Sequence, residues 1–315
     1  AESGIVPRDH IVLKYAPHIG AINQVDKMWT HRQQVIDEGW EVTVLPQGPD
    51  YRWCRPILAR TNATNYMPVG FDGLRRHPAD PDPRPPFDLQ RWLPHLVGPT
   101  PEAFDGLIGS PVEHSQGDVW HRRAALSDDS DGVPHSYLKI PFRAAQEGAS
   151  EGGLDAPLRT LHRLGIHGLS VTSPLKRMVT DVPVVDGNGL EAANTLTRTD
   201  CEGDDALWRA ADTDADGMHE CLLNLEEEYD IGPGEVALIG TGGVAPAIVR
   251  AIEASDWTLV AHARGRDGWS DVSTDRADLV VNAAGDHDPP YEDPPTSTAW
   301  LDLHYWHVRQ PPEGT

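Results

Sequence analysis

Short apolar runs of strand length alternate with helix-length amphipathic stretches along most of the chain, the pattern expected of β/α units. From residue 9 to 70 the order reads as a strand (IVLKYA), a helix (QVDKMWTHRQQVIDEGW), a strand (EVTVLPQG), a helix (DYRWCRPILAR) and a strand (ATNYMPVG). HPADPDPRPPFD follows, too rich in proline for regular structure, and reads as a linker. Further strands are predicted at GLIGS, SYLKIPF, GLSVTS and ANTLTR, with helical stretches between them. The last block, from about residue 212 on, contains a strand, a glycine turn and a helix (EVALIGTGGVAPAIVRAIEAS), then strands in WTLVAHAR, ADLVVNAAG and STAWLDLHY. The class is α/β, divided at 1–70, a linker at 71–103, 104–207 and 208–315.

Composition narrows the functions this architecture can host. A chain of 315 residues with 39% apolar side chains can form packed domains. The formal net charge of −23 repels phosphate polymers, so no nucleic-acid partner is expected. No apolar run approaches the roughly 18 residues of a membrane span. AESGIVPRDH has no basic start leading into an apolar stretch, so no signal peptide is read there and the expected location is the cytoplasm. Cys54, Cys201 and Cys221 are odd in number and far apart, which argues against a disulfide framework and a cysteine-built metal site.

The glycine turn is the first candidate site. Gly240, Gly242 and Ala245 satisfy G-x-G-x-x-G/A, with Gly243 beside them, directly after the apolar strand VALI. Glycines there permit a tight turn and close backbone approach, and the following helix N-terminus offers N–H groups to a pyrophosphate. An acid at the end of the next strand would suit NAD, but this strand ends in AHARGR. Arg264 and Arg266 suit a 2′-phosphate, so the expected cofactor is NADP. Two solvated loop arginines are the structural alternative.

A set of short motifs stands ahead of that turn: GSPVEHS (109–115), SVTSPLK (170–176), AANT (192–195) and DTDADG (212–217). Asp212, Asp214, Asp216 and Gly217 also match the start of an EF-hand calcium loop, but position twelve, where a bidentate Glu is required, is Leu223. No metal is therefore expected. In order and content the motifs resemble shikimate dehydrogenase, whose patterns are G-x-P-x-x-H-S, T-x-P-x-K, A-x-N-T, N-T-D-x-x-G and G-A-G-G-x-x-R/K-A. The resemblance covers about residues 104 to 306. It implies a shikimate dehydrogenase-like substrate domain (104–207) and a Rossmann NADP-binding domain (208–315). It also implies reversible reduction of 3-dehydroshikimate to shikimate with NADPH. By resemblance Lys176 and Asp214 are the catalytic pair, and Ser115, Thr172 and Asn194 hydrogen-bond the substrate. Each alone has a plainer reading: Lys176 a surface charge, Ser115 a turn residue, Asn194 a cap.

The chain departs from the family in places. The family's second substrate-binding Ser is Gly117, the Pro after it is Asp118, and the Asn before T-D is Asp212. Family members continue past the position of WLDLHYWH through helices that close the substrate site and supply a Gln, which the sequence given does not include. Gly117 keeps a quinate or aminoshikimate dehydrogenase open as an alternative, and a non-catalytic quinate- or shikimate-sensing regulator is a further one.

The first block is similar to the last β/α units of type I 3-dehydroquinate dehydratase, which would make residues 1–70 a partial (β/α) barrel segment. Lys14 in IVLKYA fits that family's Schiff-base lysine. QGPDYRWCR keeps the spacing from Gly48 to its substrate-binding Arg at Arg55, with Tyr66 at a later matching Tyr. A full barrel needs about 250 residues, so no dehydratase activity is expected from this chain alone. The order of the two resemblances is that of a bifunctional dehydroquinate dehydratase/shikimate dehydrogenase.

Overall fold

The computed structural model describes residues 11–48, 51, 53–63, 103–113, 115–125, 135–142, 153–187, 189–199, 206–263, 277–283 and 299–303. The strand expected at ATNYMPVG, Tyr66, nearly all of the proline-rich linker, Arg264 and Arg266 lie outside them. The chain divides into two compact units, one of Ala1–Asp186 with Leu196–Arg209, the other of Gly187–Thr195 with Ala210–Thr315.

The first unit begins with β1 (Val12–Tyr15), α1 (Ile22–Asp37), β2 (Glu41–Val44) and α2 (Cys54–Ala59). β1 and β2 form a two-stranded parallel sheet. Ile22, Val25, Met28 and Arg32 recur at helical spacing and form the buried face of α1. Arg32 is buried with them because its guanidinium donates to the Thr61 carbonyl at 2.7 Å and lies over the Trp29 ring. β2 buries Val42, Thr43 and Val44, whereas all four residues of β1 are exposed.

The larger sheet holds β3 (Ala103–Gly109), β4 (His135–Pro141), β5 (Ile166–Val171), β6 (Val185–Asp186), β7 (Thr195–Arg198) and β8 (Trp208–Ala211), in the order β4-β3-β5-β7-β8-β6. β3 is parallel to both β4 and β5. α3 (Gly117–Ala125) follows β3 and α4 (Asp155–Arg163) precedes β5. Phe104, Ile108, Ile140, Leu158, Leu161, Ile166 and Leu169 are among the largest fully buried side chains. The near-continuous apolar run of β3 is what a strand covered on both faces requires. On α4, Arg163 pairs with Asp26 of α1 at 2.7 Å.

The second unit holds α5 (Asp214–Tyr229), β9 (Glu235–Ile239), α6 (Ala245–Glu253), β10 (Thr258–Ala263), β11 (Leu279–Asn282) and β12 (Ala299–Asp302). Its strands are all parallel, in the order β10-β9-β11-β12. Met218 and Leu222 from α5, Ile248 and Ile252 from α6, and Val236, Leu238, Leu279 and Val281 from the sheet form one core. This is a Rossmann-type sheet. The chain leaves β9 for β10 on one side and later returns to β11 on the other. The C-terminal end of β9 is therefore the topological switch point, where open α/β sheets bind ligands. Among the described residues no helix is long and apolar enough to cross a membrane.

Candidate active site

In the first unit the expected substrate residues sit on loops at the C-terminal ends of neighbouring parallel strands. β3 ends at Gly109, which has φ +152°, and a Cβ there would lie 2.2 Å from Thr172 Cγ2 and 2.9 Å from the Ser173 carbonyl oxygen. Only glycine lets the two loops approach this closely. Backbone bonds stitch them together: Ser110 N donates to Ser173 O at 2.9 Å and Thr172 N to Ile108 O at 2.9 Å. Ser110–Pro111 and Ser173–Pro174 are both cis.

Past the second turn, Lys176 is half-buried. Leu175 beside it is fully buried, and the Met178 and Val179 amides both donate to the Leu175 carbonyl. The lysine thus projects from an anchored turn.

Ser115 is half-buried and its Oγ accepts from the Gly117 amide at 3.1 Å, at the start of α3. Lys139 on β4 holds this loop. Its Nζ donates to the Glu113 carbonyl at 3.0 Å and to the Ser115 carbonyl, and lies 3.3 Å from Asp118 Oδ1. Sequence reasoning missed Lys139; the available signal was that a scarce lysine falls inside an apolar strand. Where the resemblance expects a second serine, a Cβ on Gly117 would meet Tyr137 at 3.0 Å for Cε1 and 3.2 Å for Oη. Tyr137 stacks on His121 with centroids 4.2 Å apart. Burial pushes its phenol above the usual tyrosine range, Asp105 and Asp118 push the same way, and a hydrogen bond with Ser170 opposes them.

In the second unit the A-x-N-T and D-T-D motifs meet. The Asn194 amide nitrogen donates to Asp214 Oδ1 at 2.8 Å and to Thr213 Oγ1 at 2.9 Å. Its carbonyl oxygen accepts from the Thr213 amide at 3.0 Å and from Thr195 Oγ1 at 3.0 Å. Asn194, expected on substrate, thus holds the loop and carboxylate of Asp214. Asp214 is the first residue of α5, and its amide donates to Asp212 Oδ1 at 3.0 Å. Asp212 Oδ2 pairs with Arg250 of α6. Asp214 and Asp216 in the first turn complement the helix dipole. DTDADG is therefore a helix start, and among the described residues no group of three or more His, Cys, Asp or Glu could hold a metal ion.

The glycine turn lies at the switch point. Gly240 has φ +113°, a conformation that favours glycine. A Cβ on Gly242 would meet nothing within 4 Å, so the chain leaves open space there. Gly243 is half-buried, Ala245 is buried, and α6 begins at Ala245 with Pro at its start. A pyrophosphate fits this arrangement: a strand end, an open glycine turn and a helix N-terminus in sequence. At the end of β10, His262 Nε2 hydrogen-bonds the Gly240 carbonyl at 2.8 Å, a contact sequence reasoning missed.

In the first block Arg55 donates from Nε and Nη2 to the Pro46 carbonyl at 3.1 and 3.0 Å. Gly48 has φ +117°, and a Cβ there would lie 2.5 Å from the Ile19 carbonyl oxygen, so a close backbone approach fixes it. Lys14 is exposed on β1. The described residues of this block form two strands.

No protein-family model matches the chain. Among curated proteins it is 33% identical over 147 residues to the shikimate dehydrogenase (NADP(+)) of Shouchella clausii, covering 47% of this chain and 49% of that protein. Among solved structures it resembles a shikimate dehydrogenase in complex with NADP+ (22% identity, TM-score 0.47, 64% of this chain, 77% of that one). It also resembles the dehydroquinate dehydratase and shikimate dehydrogenase of S. pombe AroM (17% identity, TM-score 0.42, 95% of this chain, 60% of that one). The chain spans about half the length of the curated relatives it matches (49%, 54% and 50%) and has shikimate dehydrogenase homology over about half of its own.

Proposed function

We propose that the chain is an NADP-dependent shikimate dehydrogenase, interconverting shikimate and 3-dehydroshikimate. The observation that carries this reading is the Asn194–Asp214 hydrogen bond at 2.8 Å. Two motifs 20 residues apart are joined in one cluster, in the same unit as the open glycine turn at its sheet's switch point. NADP, when bound, supplies the hydride acceptor for the alcohol carbon. Lys176 and Asp214 take the hydroxyl proton, and Ser115 and Thr172 hydrogen-bond the other hydroxyls and the carboxylate of the substrate. Asn194 serves mainly by fixing Asp214. Gly240, Gly242, Gly243 and Ala245 form the pyrophosphate cradle, and Arg264 and Arg266 recognise the 2′-phosphate. Residues 104–207 and 208–315 are read as the substrate and cofactor domains. Residues 1–70 are read as a remnant of a type I dehydroquinate dehydratase, with Lys14 and Arg55 as its vestigial site residues. The order of the parts is that of the bifunctional fusion.

The test is NADPH formation by purified chain with shikimate and NADP+, beside parallel reactions with quinate and aminoshikimate. Turnover with shikimate is expected. Turnover with quinate alone would reassign the substrate, and ligand binding with no turnover on any of the three would favour a sensor.

The cradle gives a separate prediction. Because Gly242 has open space and no positive φ, Gly242→Ala is expected to leave the thermal midpoint unchanged. The added methyl occupies the path of the pyrophosphate, so NADP affinity should fall about tenfold or more, roughly 1.4 kcal/mol. Titration calorimetry beside a melting curve checks both halves.

A further inference from the structure

In the family pattern, the residue two before the catalytic Asp is a neutral Asn, and an Arg or Lys stands three residues after the glycine run. This chain changes both. Asp212 replaces the Asn, and Pro246 stands where the basic residue is expected. The positive charge reappears one helical turn later, at Arg250 on the same helix, and pairs with the new carboxylate. The Asp212 side chain is only 4% exposed, against 38% for Arg250. A carboxylate so covered demands a counter-charge.

We propose that the Asp212–Arg250 pair is a positioning device for Asp214, resting on the reading of Asp214 as a catalytic residue. Each carboxylate oxygen of Asp212 has its own task. Oδ2 holds Arg250, and Oδ1 accepts the Asp214 amide at 3.0 Å, an N–H that the first turn of α5 leaves without an intrahelical partner. Arg250 thereby fixes the Asp212 carboxylate, and Asp212 fixes the backbone from which the Asp214 side chain departs. Asn194 fixes that side chain from the other direction through Asp214 Oδ1. Without Arg250, a covered carboxylate two residues from Asp214 loses its counter-charge and turns toward water, and the amide bond goes with it. An Asn at position 212 needs no cation and can still accept the amide. The two departures from the family pattern are thus coupled substitutions.

The experiment is a double-mutant cycle of Arg250→Met and Asp212→Asn, with Arg250→Lys as the conservative variant. Three readouts are taken: steady-state shikimate oxidation, thermal unfolding, and hydrogen exchange of the Asp214 amide. Arg250→Met is expected to lower kcat about tenfold or more, with KM for NADP+ within about twofold. Arg250→Lys is expected to recover most of the loss. Asp212→Asn, alone or combined with Arg250→Met, is expected to stay within about threefold of the unaltered chain. The Asp214 amide should exchange about tenfold faster in Arg250→Met and return to its original rate in the double variant. Additive losses, or an Arg250→Met chain with unchanged kcat and unchanged amide exchange, would overturn the proposal. If the unaltered chain does not turn over shikimate, the functional reading fails, while amide exchange still decides whether the pair positions Asp214.

Discussion

Replacing Lys176 with alanine is expected to lower kcat for shikimate oxidation by about 10²–10⁴-fold, the range associated with removing a positioned acid–base group. Shikimate KM should change far less. The folding cost should be small, because buried Leu175 anchors the turn and its carbonyl accepts the Met178 and Val179 amides. A melting curve close to that of the unaltered chain, measured beside the absorbance assay, separates lost chemistry from lost structure. Lys176→Arg should not rescue, since a guanidinium keeps its proton under all working conditions and its planar fork does not reproduce an ammonium. An alanine variant that retains turnover would remove Lys176 from the proton path and overturn its proposed role.

The strands most legible in the sequence were those whose apolar runs are bounded by turn residues. VALI before the glycine turn and the first four residues of GLIGS, ahead of Ser110, both fall inside strands of the structure. β6 and β8 were not legible: two residues at Val185–Asp186 and four at Trp208–Ala211 are too short for a periodic signal, and pairing with neighbours makes them strands. The motif order named candidate site residues, but the bonds among them were hidden. Asn194 looks like a substrate ligand in a one-dimensional motif. Only the folded chain brings it within 2.8 Å of a carboxylate 20 residues away. Lys139 was hidden for the same reason, since its partners at Glu113 and Ser115 lie 26 and 24 residues earlier. In the first block the sequence pattern of a barrel lysine was present at Lys14, but burial depends on covering elements, and β1 is exposed throughout.

Gly109→Ala should be strongly damaging to the loops that end the strands of the larger sheet. Two costs add: a positive φ that an L side chain resists, and a Cβ placed 2.2 Å from Thr172 Cγ2 and 2.9 Å from the Ser173 carbonyl oxygen. The side-chain contact can relax by rotation, but the backbone carbonyl cannot move without breaking the Ser110–Ser173 bond. The combined effect is about 3 kcal/mol, which for a protein of this size lowers the thermal midpoint by roughly 6–12 °C. Gly39→Ala is the control, because Gly39 has φ +87° and a Cβ there would meet nothing within 4 Å, so it carries the first cost alone. The difference between the two variants measures what the close approach of the loops is worth. Equal midpoints would mean that the loops bearing Ser115 and Thr172 tolerate separation; a much larger loss at Gly109, with shikimate KM raised in the surviving protein, would show that glycine is there to hold those loops together.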